Sequence, residues 1–147
     1  MTLPRKPSIL FACKANAGRS VTGKVLAEHY AQGRVDVFSA GSEPGEHVHP
    51  EVAKVLADLG LDAGREVPKP FDPDGRYTAV VTMGCGEACP VFLGATYRDW
   101  PLEDPKNQPE EVVRRVVADI DARVRGLLGE LVPGIELPPS VVTAPVR

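Results

Sequence analysis

The chain has 147 residues, 43% of them hydrophobic and 25% charged, and 17 Lys plus Arg stand against 20 Asp plus Glu for a formal net charge of −3. That is the length of one domain with one core, and the slight acidic excess argues against a nucleic-acid-binding domain, whose footprint is basic. Three cysteines are odd in number and too few for a disulfide scaffold, and the apolar run from Ser8 to Cys13 is too short for a signal-peptide core or a membrane span. The expectation is a cytoplasmic chain with reduced thiols, no membrane partner and no nucleic-acid partner.

Ile9-Leu10-Phe11-Ala12 is a continuous apolar run that leads into Asn16-Ala17-Gly18. It reads as a buried parallel strand followed by a turn. A helix follows from about Arg19 to Gln32, with Val21, Val25, Leu26 and Tyr30 near one face and Gly33 as its stop. Val35 to Ala40 alternates as a strand does. His49 to Gly60 carries Val52, Val55, Leu56 and Leu59 at helical spacing. The polar, Pro-rich stretch from Leu61 to Arg76 reads as a loop. Tyr77 to Met83 is a second buried strand. Gly84 to Pro105 holds three Gly and three Pro, which predicts a long excursion with one short strand near Tyr97 to Trp100. Pro109 to Leu131 is the clearest helix, with an apolar stripe from Val112 to Leu131 and Glu110 and Glu111 in its first turn. The segment 133–147 contains four Pro and is expected to be loose or to lie along the surface.

Strands alternating with helices imply an α/β fold: one domain over 1–132, a four-stranded parallel sheet with helices on both faces, and a Pro-rich tail over 133–147. Ligands in such sheets sit beyond the carboxyl ends of the strands. The turns after Ala12, Ala40 and Met83 all fall on that edge.

The first of these turns reads Cys13-Lys14-Ala15-Asn16-Ala17-Gly18-Arg19-Ser20. Successive backbone N–H groups in a tight loop make a concave anion site, and the helix N-terminus behind them adds positive potential. Arg19 supplies a planar fork for two oxygens of a tetrahedral oxyanion. The same field favours the thiolate of a cysteine at the loop's start. Cys13 is therefore a candidate nucleophile, Lys14 to Ser20 the candidate oxyanion-binding stretch, Ser20 a donor to the thiolate and Asn16 a brace. The bland alternative for Cys13 is a buried thiol that ends a core strand.

This loop closely resembles that of the low-molecular-weight protein tyrosine phosphatase superfamily, and within it the arsenate reductases coupled to thioredoxin or mycothiol. The resemblance runs from Ser8 to about Asn107 and includes FSAGSEP (38–44), VHPEVAKVLADLGLD (48–62), VTMGCGEACP (81–90) and YRDWPLEDP (97–105). It implies arsenate as substrate, phosphate and sulfate as competing anions, no bound cofactor and a monomer. It also implies a general acid before a proline. Order places that role on Asp104, with Glu103 and Asp99 as neighbouring alternatives and a simple Asp-Pro turn as the other reading.

Cys85 and Cys89 flank a short Gly-containing segment and are close enough in sequence to pair after local movement. Under the resemblance they relay a disulfide from Cys13 to thioredoxin. Their spacing is shorter than in the best-known thioredoxin-coupled members and resembles a branch in which some enzymes use mycothiol and mycoredoxin, where the pair need not cycle. Structural zinc is disfavoured because no third ligand lies near them. Two other readings stand: a phosphatase acting on phosphotyrosine or small phosphates, and a non-catalytic oxyanion or arsenite sensor. Some relatives hold potassium behind the loop near the positions of Asn16 and Lys24, where this chain offers an ammonium. His29, His47 and His49 read as surface or capping residues.

Overall fold

The computed structural model describes residues 6–84 and 90–142. Cys85 and Cys89 lie outside the described residues. The elements in chain order are β1 (Ser8–Cys13), α1 (Arg19–Ala31), β2 (Asp36–Gly41), α2 (Pro50–Asp58), β3 (Ala79–Thr82), β4 (Thr96–Asp99) and α3 (Glu110–Leu131). The strands form one sheet in the order β2-β1-β3-β4, and every pair is parallel. Chain connections leave β1 toward β2 on one side and later return to β3 on the other. The loop after β1 therefore sits at the point where the strand order reverses, the usual ligand crevice of an open α/β sheet.

Alternation along the strands sorts the core into two layers. Ile9, Phe11, Val37 and Val81 join the larger cluster with Val21, Leu26 and Tyr30 of α1, Val52 and Leu56 of α2, and Val113, Ile120, Val124 and Leu128 of α3. Leu10, Ala40 and Val80 belong to a smaller cluster closed by Phe92, Phe71 and Tyr77. Among the described residues, the buried apolar side chains of all three helices fall in the cluster with Ile9 and Phe11, while Phe71, Tyr77 and Phe92 from outside the helices close the smaller one. Aromatic side chains make this closure possible: Tyr77 meets Phe38 and Phe92 edge to face at centroid separations of 5.5 and 5.1 Å.

The segment 133–142 lies against the helices. Leu137, Val141 and Val142 pack on the larger cluster. Tyr30 Oη donates to Asp121 Oδ1 and accepts the Val141 N–H at 2.9 Å. Ser140 Oγ bonds Asp121 Oδ2 at 2.7 Å, and the Arg125 guanidinium lies 4.7 Å from the Tyr30 ring centroid. Burial pushes the Tyr30 phenol above its ordinary pKa, and the Asp121 hydrogen bond adds to the shift, so it stays a donor near neutral pH. Tyr30→Phe leaves the Val141 N–H and one Asp121 oxygen without this partner. It is expected to lower unfolding free energy by about 1–3 kcal/mol, read as a lower urea midpoint at unchanged m.

Candidate active site

The strands are parallel, so Cys13, Gly41, Thr82 and Asp99 end on one edge. Cys13 leads into the loop, whose carbonyls are taken up by the chain after β2. Ser42 N–H reaches Cys13 O at 3.3 Å, Glu43 N–H reaches Lys14 O at 2.8 Å, and Gly45 and His49 N–H reach Ala15 O and Ala17 O at 2.9 Å each. In a trans peptide the C=O and the following N–H point opposite ways. The amides of Lys14, Ala15, Asn16 and Gly18 are thus turned away from that segment and remain for an anion. The seat is tight. A Cβ on Gly41 would fall 2.6 Å from Lys14 O, so only glycine lets the end of β2 come this close.

Helix α1 starts behind the loop with no side-chain cap and no acidic residue in its first turn. Its first N–H groups and positive end therefore face the site without a built-in carboxylate. Cys13 is buried, 2% exposed, and its Sγ lies 2.9 Å from Ser20 Oγ. The direction of that hydrogen bond follows from its neighbours. The Lys69 N–H, which can only donate, binds Asn16 Oδ1 at 2.9 Å. Asn16 Nδ2 then donates to Ser20 Oγ at 2.7 Å, which leaves the serine hydrogen for Cys13 Sγ. The sulfur thus receives a hydrogen bond from the serine hydroxyl. Asn16 is fully buried and holds a left-handed backbone, φ 50°, which asparagine tolerates better than most residues.

A cavity of about 500 Å³ opens over Cys13, lined by Lys14, Ala15, Gly18, Arg19, Glu43, Gly45, Glu46, His47, His49, Asp104 and Lys106. Arg19 Nη2 stands 3.5 Å from Asp104 Oδ2, and Nη1 lies 3.5 Å from Leu102 O. Asp104 Oδ1 accepts the Lys106 N–H at 3.0 Å, and the Asn107 N–H binds Glu51 at 2.8 Å, which ties this turn to α2. The two alternatives to Asp104 are engaged elsewhere. Asp99 accepts from Thr82 Oγ1 at 2.8 Å, and Glu103 pairs with Arg115 at 3.2 Å. Neither lines the cavity.

Cys13, Lys14, Ala15, Gly18, Arg19 and Asp104 are thus brought to one cavity, with Asn16, Ala17 and Ser20 buried in its floor. His47 and His49, read as surface or capping residues, are on its wall. His49 is also the N-cap residue of α2, and burial holds its pKa below the ordinary 6.5 despite the nearby Glu51 and Asp104. Arg19, Lys14 and Lys106 bring three basic side chains to the same wall. Glu43, Glu46 and Lys106 carried no pattern of their own in the sequence. Only the rule that strand-end loops meet at one edge pointed to them. Lys24 Nζ lies between Glu28 at 2.9 Å and Glu66 at 3.0 Å. These carboxylates already hold a cation, so the surroundings of Lys24 do not fit a potassium ion.

Gly84 has φ +104°, and a Cβ there would sit 2.2 Å from Arg19 Nη1. Gly84→Ala is expected to push the guanidinium off its position and weaken phosphate binding at least several-fold, as losing one arm of a bidentate charge-assisted pair would. Isothermal titration with inorganic phosphate checks this.

The chain belongs to a family of phosphate-loop proteins: the model of the low molecular weight phosphotyrosine protein phosphatase family matches residues 8–134. A relative from Halobacterium salinarum is 35% identical over 130 residues, covering 84% of this chain and 92% of its own. A Synechocystis protein named glutaredoxin arsenate reductase is 30% identical, covering 84% of this chain and 97% of its own. Among solved structures, the thioredoxin-dependent arsenate reductase of Corynebacterium glutamicum is similar at TM-score 0.75 and 38% identity. That match covers 85% of this chain, which spans 61% of the Corynebacterium chain.

Proposed function

We propose that this chain is a thiol-dependent arsenate reductase in which Cys13 is the nucleophile. The observation that carries the reading is the cavity itself: a buried sulfur, an open helix N-terminus, Arg19 and the Asp104 carboxyl converge on one volume. Relatives named as arsenate reductases, together with the two further cysteines at 85 and 89, favour arsenate over a phosphate ester.

Arsenate binds on the loop amides and Arg19. Cys13 Sγ attacks arsenic, and Asp104 protonates the departing oxygen, which leaves as water. The Cys85 thiolate then attacks Cys13 Sγ. The S–As bond breaks with its electron pair kept by arsenic, so As(V) becomes As(III) and arsenite leaves. The Cys13–Cys85 disulfide passes to Cys85–Cys89 when Cys89 attacks, and a dithiol donor of thioredoxin type returns both thiols.

A phosphatase reading is favoured by one fact, the family to which the chain belongs. Against aryl esters, no Phe, Tyr or Trp is among the described residues that line the cavity. The test is arsenate turnover with thioredoxin, thioredoxin reductase and NADPH, beside Cys89→Ser. Multiple turnovers that vanish in the variant support the relay. Turnover only with mycothiol, indifferent to Cys89, keeps the reductase and discards the relay. Hydrolysis of an aryl phosphate with no arsenate loss overturns the reading. Replacing sodium by potassium is expected to leave the initial rate unchanged, because Lys24 already neutralises Glu28 and Glu66.

A further inference from the structure

We propose that Lys24 and Glu66 are positioning residues for Cys13: their ion pair pins the irregular segment at 66–70 to α1, and that segment sets the polarity of the Asn16–Ser20–Cys13 hydrogen-bond chain. The inference rests on Cys13 being the nucleophile and not on which oxyanion it attacks.

The two contacts of Lys24 differ in kind. Glu28 is four residues along the same helix and its side chain is half exposed, an ordinary surface pair. Glu66 is 42 residues away in sequence, and the two side chains are only 17% and 11% exposed. A pair so withdrawn from water is weakly screened, and removal of one partner strands the other's charge. The pair joins α1 to a stretch that belongs to no helix or strand.

Three residues beyond Glu66 the same stretch meets the loop. The Lys69 N–H donates to Asn16 Oδ1 at 2.9 Å, its carbonyl accepts the Gly41 N–H at 2.9 Å, and Pro70 bridges Gly41. The Lys69 N–H orients the Asn16 amide, because a donor there requires oxygen on that side. Asn16 Nδ2 then fills an acceptor position of Ser20 Oγ, and the serine hydrogen turns to Cys13 Sγ. If the segment shifts, Lys69 no longer dictates which end of the amide faces Ser20. The serine proton then loses its direction. Lys24 and Glu66 touch neither the cavity nor Cys13. The titratable and charged groups that do face the cavity are Lys14, Arg19, Glu43, Glu46, Asp104 and Lys106, with His47 and His49 beside them. None of them bonds the side chain of Lys24 or Glu66, whose ion-pair partners among the described residues are each other and Glu28.

The test is the pH dependence of Cys13 alkylation by iodoacetamide in the intact reduced protein, read by mass spectrometry on the peptide that contains Cys13. Glu66→Gln and Lys24→Met are expected to move the half-maximal rate to higher pH by roughly half to one unit. That corresponds to an alkylation rate about three- to tenfold lower on the acid side of the profile, where each unit is tenfold in thiolate. Inhibition by inorganic phosphate should hold, because the cradle is untouched. The paired exchange Lys24→Glu with Glu66→Lys rebuilds the pair with reversed sign, and it should return the profile to wild type. Profiles unchanged in folded single variants overturn the proposal. So does a shift that the exchange fails to reverse, since that is general loosening. If the single variants do not fold, the exchanged protein alone decides: a wild-type profile supports the proposal and a shifted one overturns it. A wild-type protein that alkylates at Cys13 yet turns over no arsenate defeats the functional reading and leaves this readout intact.

Discussion

Cys13→Ser is expected to abolish arsenate reduction, lowering kcat by roughly 10⁴-fold or more, the scale on which removal of a covalent nucleophile acts. Serine keeps the size and polarity of the position but offers no sulfur to carry an electron pair. The loop should survive the change, because its carbonyls are held by Ser42, Glu43, Gly45 and His49 through backbone bonds alone. Phosphate binding by calorimetry should therefore persist while turnover disappears. Arsenate turnover in the variant within tenfold of wild type would remove Cys13 from the mechanism.

Asp104→Asn is the second large effect. A positioned general acid contributes about 10²–10⁴-fold, and the amide cannot supply the proton. Among the described residues Asp104 is also the carboxylate that pairs with Arg19, at 3.5 Å. Its replacement by a neutral group frees the guanidinium for the anion. The expected signature is a split: kcat falls by at least a hundredfold, while the phosphate inhibition constant stays equal or tightens. A parallel loss of both would mean that Asp104 holds the loop together instead of moving a proton. Glu103→Gln should do neither, since Glu103 pairs with Arg115 away from the cavity.

Much of this site was legible because the chemistry is local. Cys13 to Ser20 is one continuous loop between a buried apolar strand and a helix, so the candidate seat could be read from adjacent residues, although the bonds that hold its carbonyls come from the chain after β2. Asp104 was a candidate by order and by Pro105, and of the three candidates it is the one that lines the cavity, while Asp99 bonds Thr82 and Glu103 pairs with Arg115. What sequence could not reveal depends on contacts distant along the chain. Glu46, His47 and His49 reach the cavity because the segment after β2 folds back over the loop, and no periodicity encodes that. The make-up of the two core clusters was hidden for a related reason. A buried strand such as Ile9–Ala12 is apolar on both faces, so it says that both are covered but not by what. The cover of Phe71, Tyr77 and Phe92 comes from stretches that look like loop. The packing of the segment after Val132 is likewise non-local, resting on Tyr30 more than a hundred residues earlier.

The way the loop's carbonyls are tied down has a consequence for selectivity. A cradle whose amides are already oriented loses little conformational freedom when an anion arrives, so it receives any tetrahedral oxyanion of suitable size and charge with similar ease. Arsenate and phosphate share shape and charge, and a rigid binding step cannot rank them strongly. Under the proposed function, discrimination then falls on reactivity, since sulfur attacks arsenic readily and its adduct can be reduced, whereas bound phosphate competes for the seat. A reductase of the proposed kind then acts as a kinetic filter, and its throughput is expected to follow the ratio of the two anions around it more than the concentration of either.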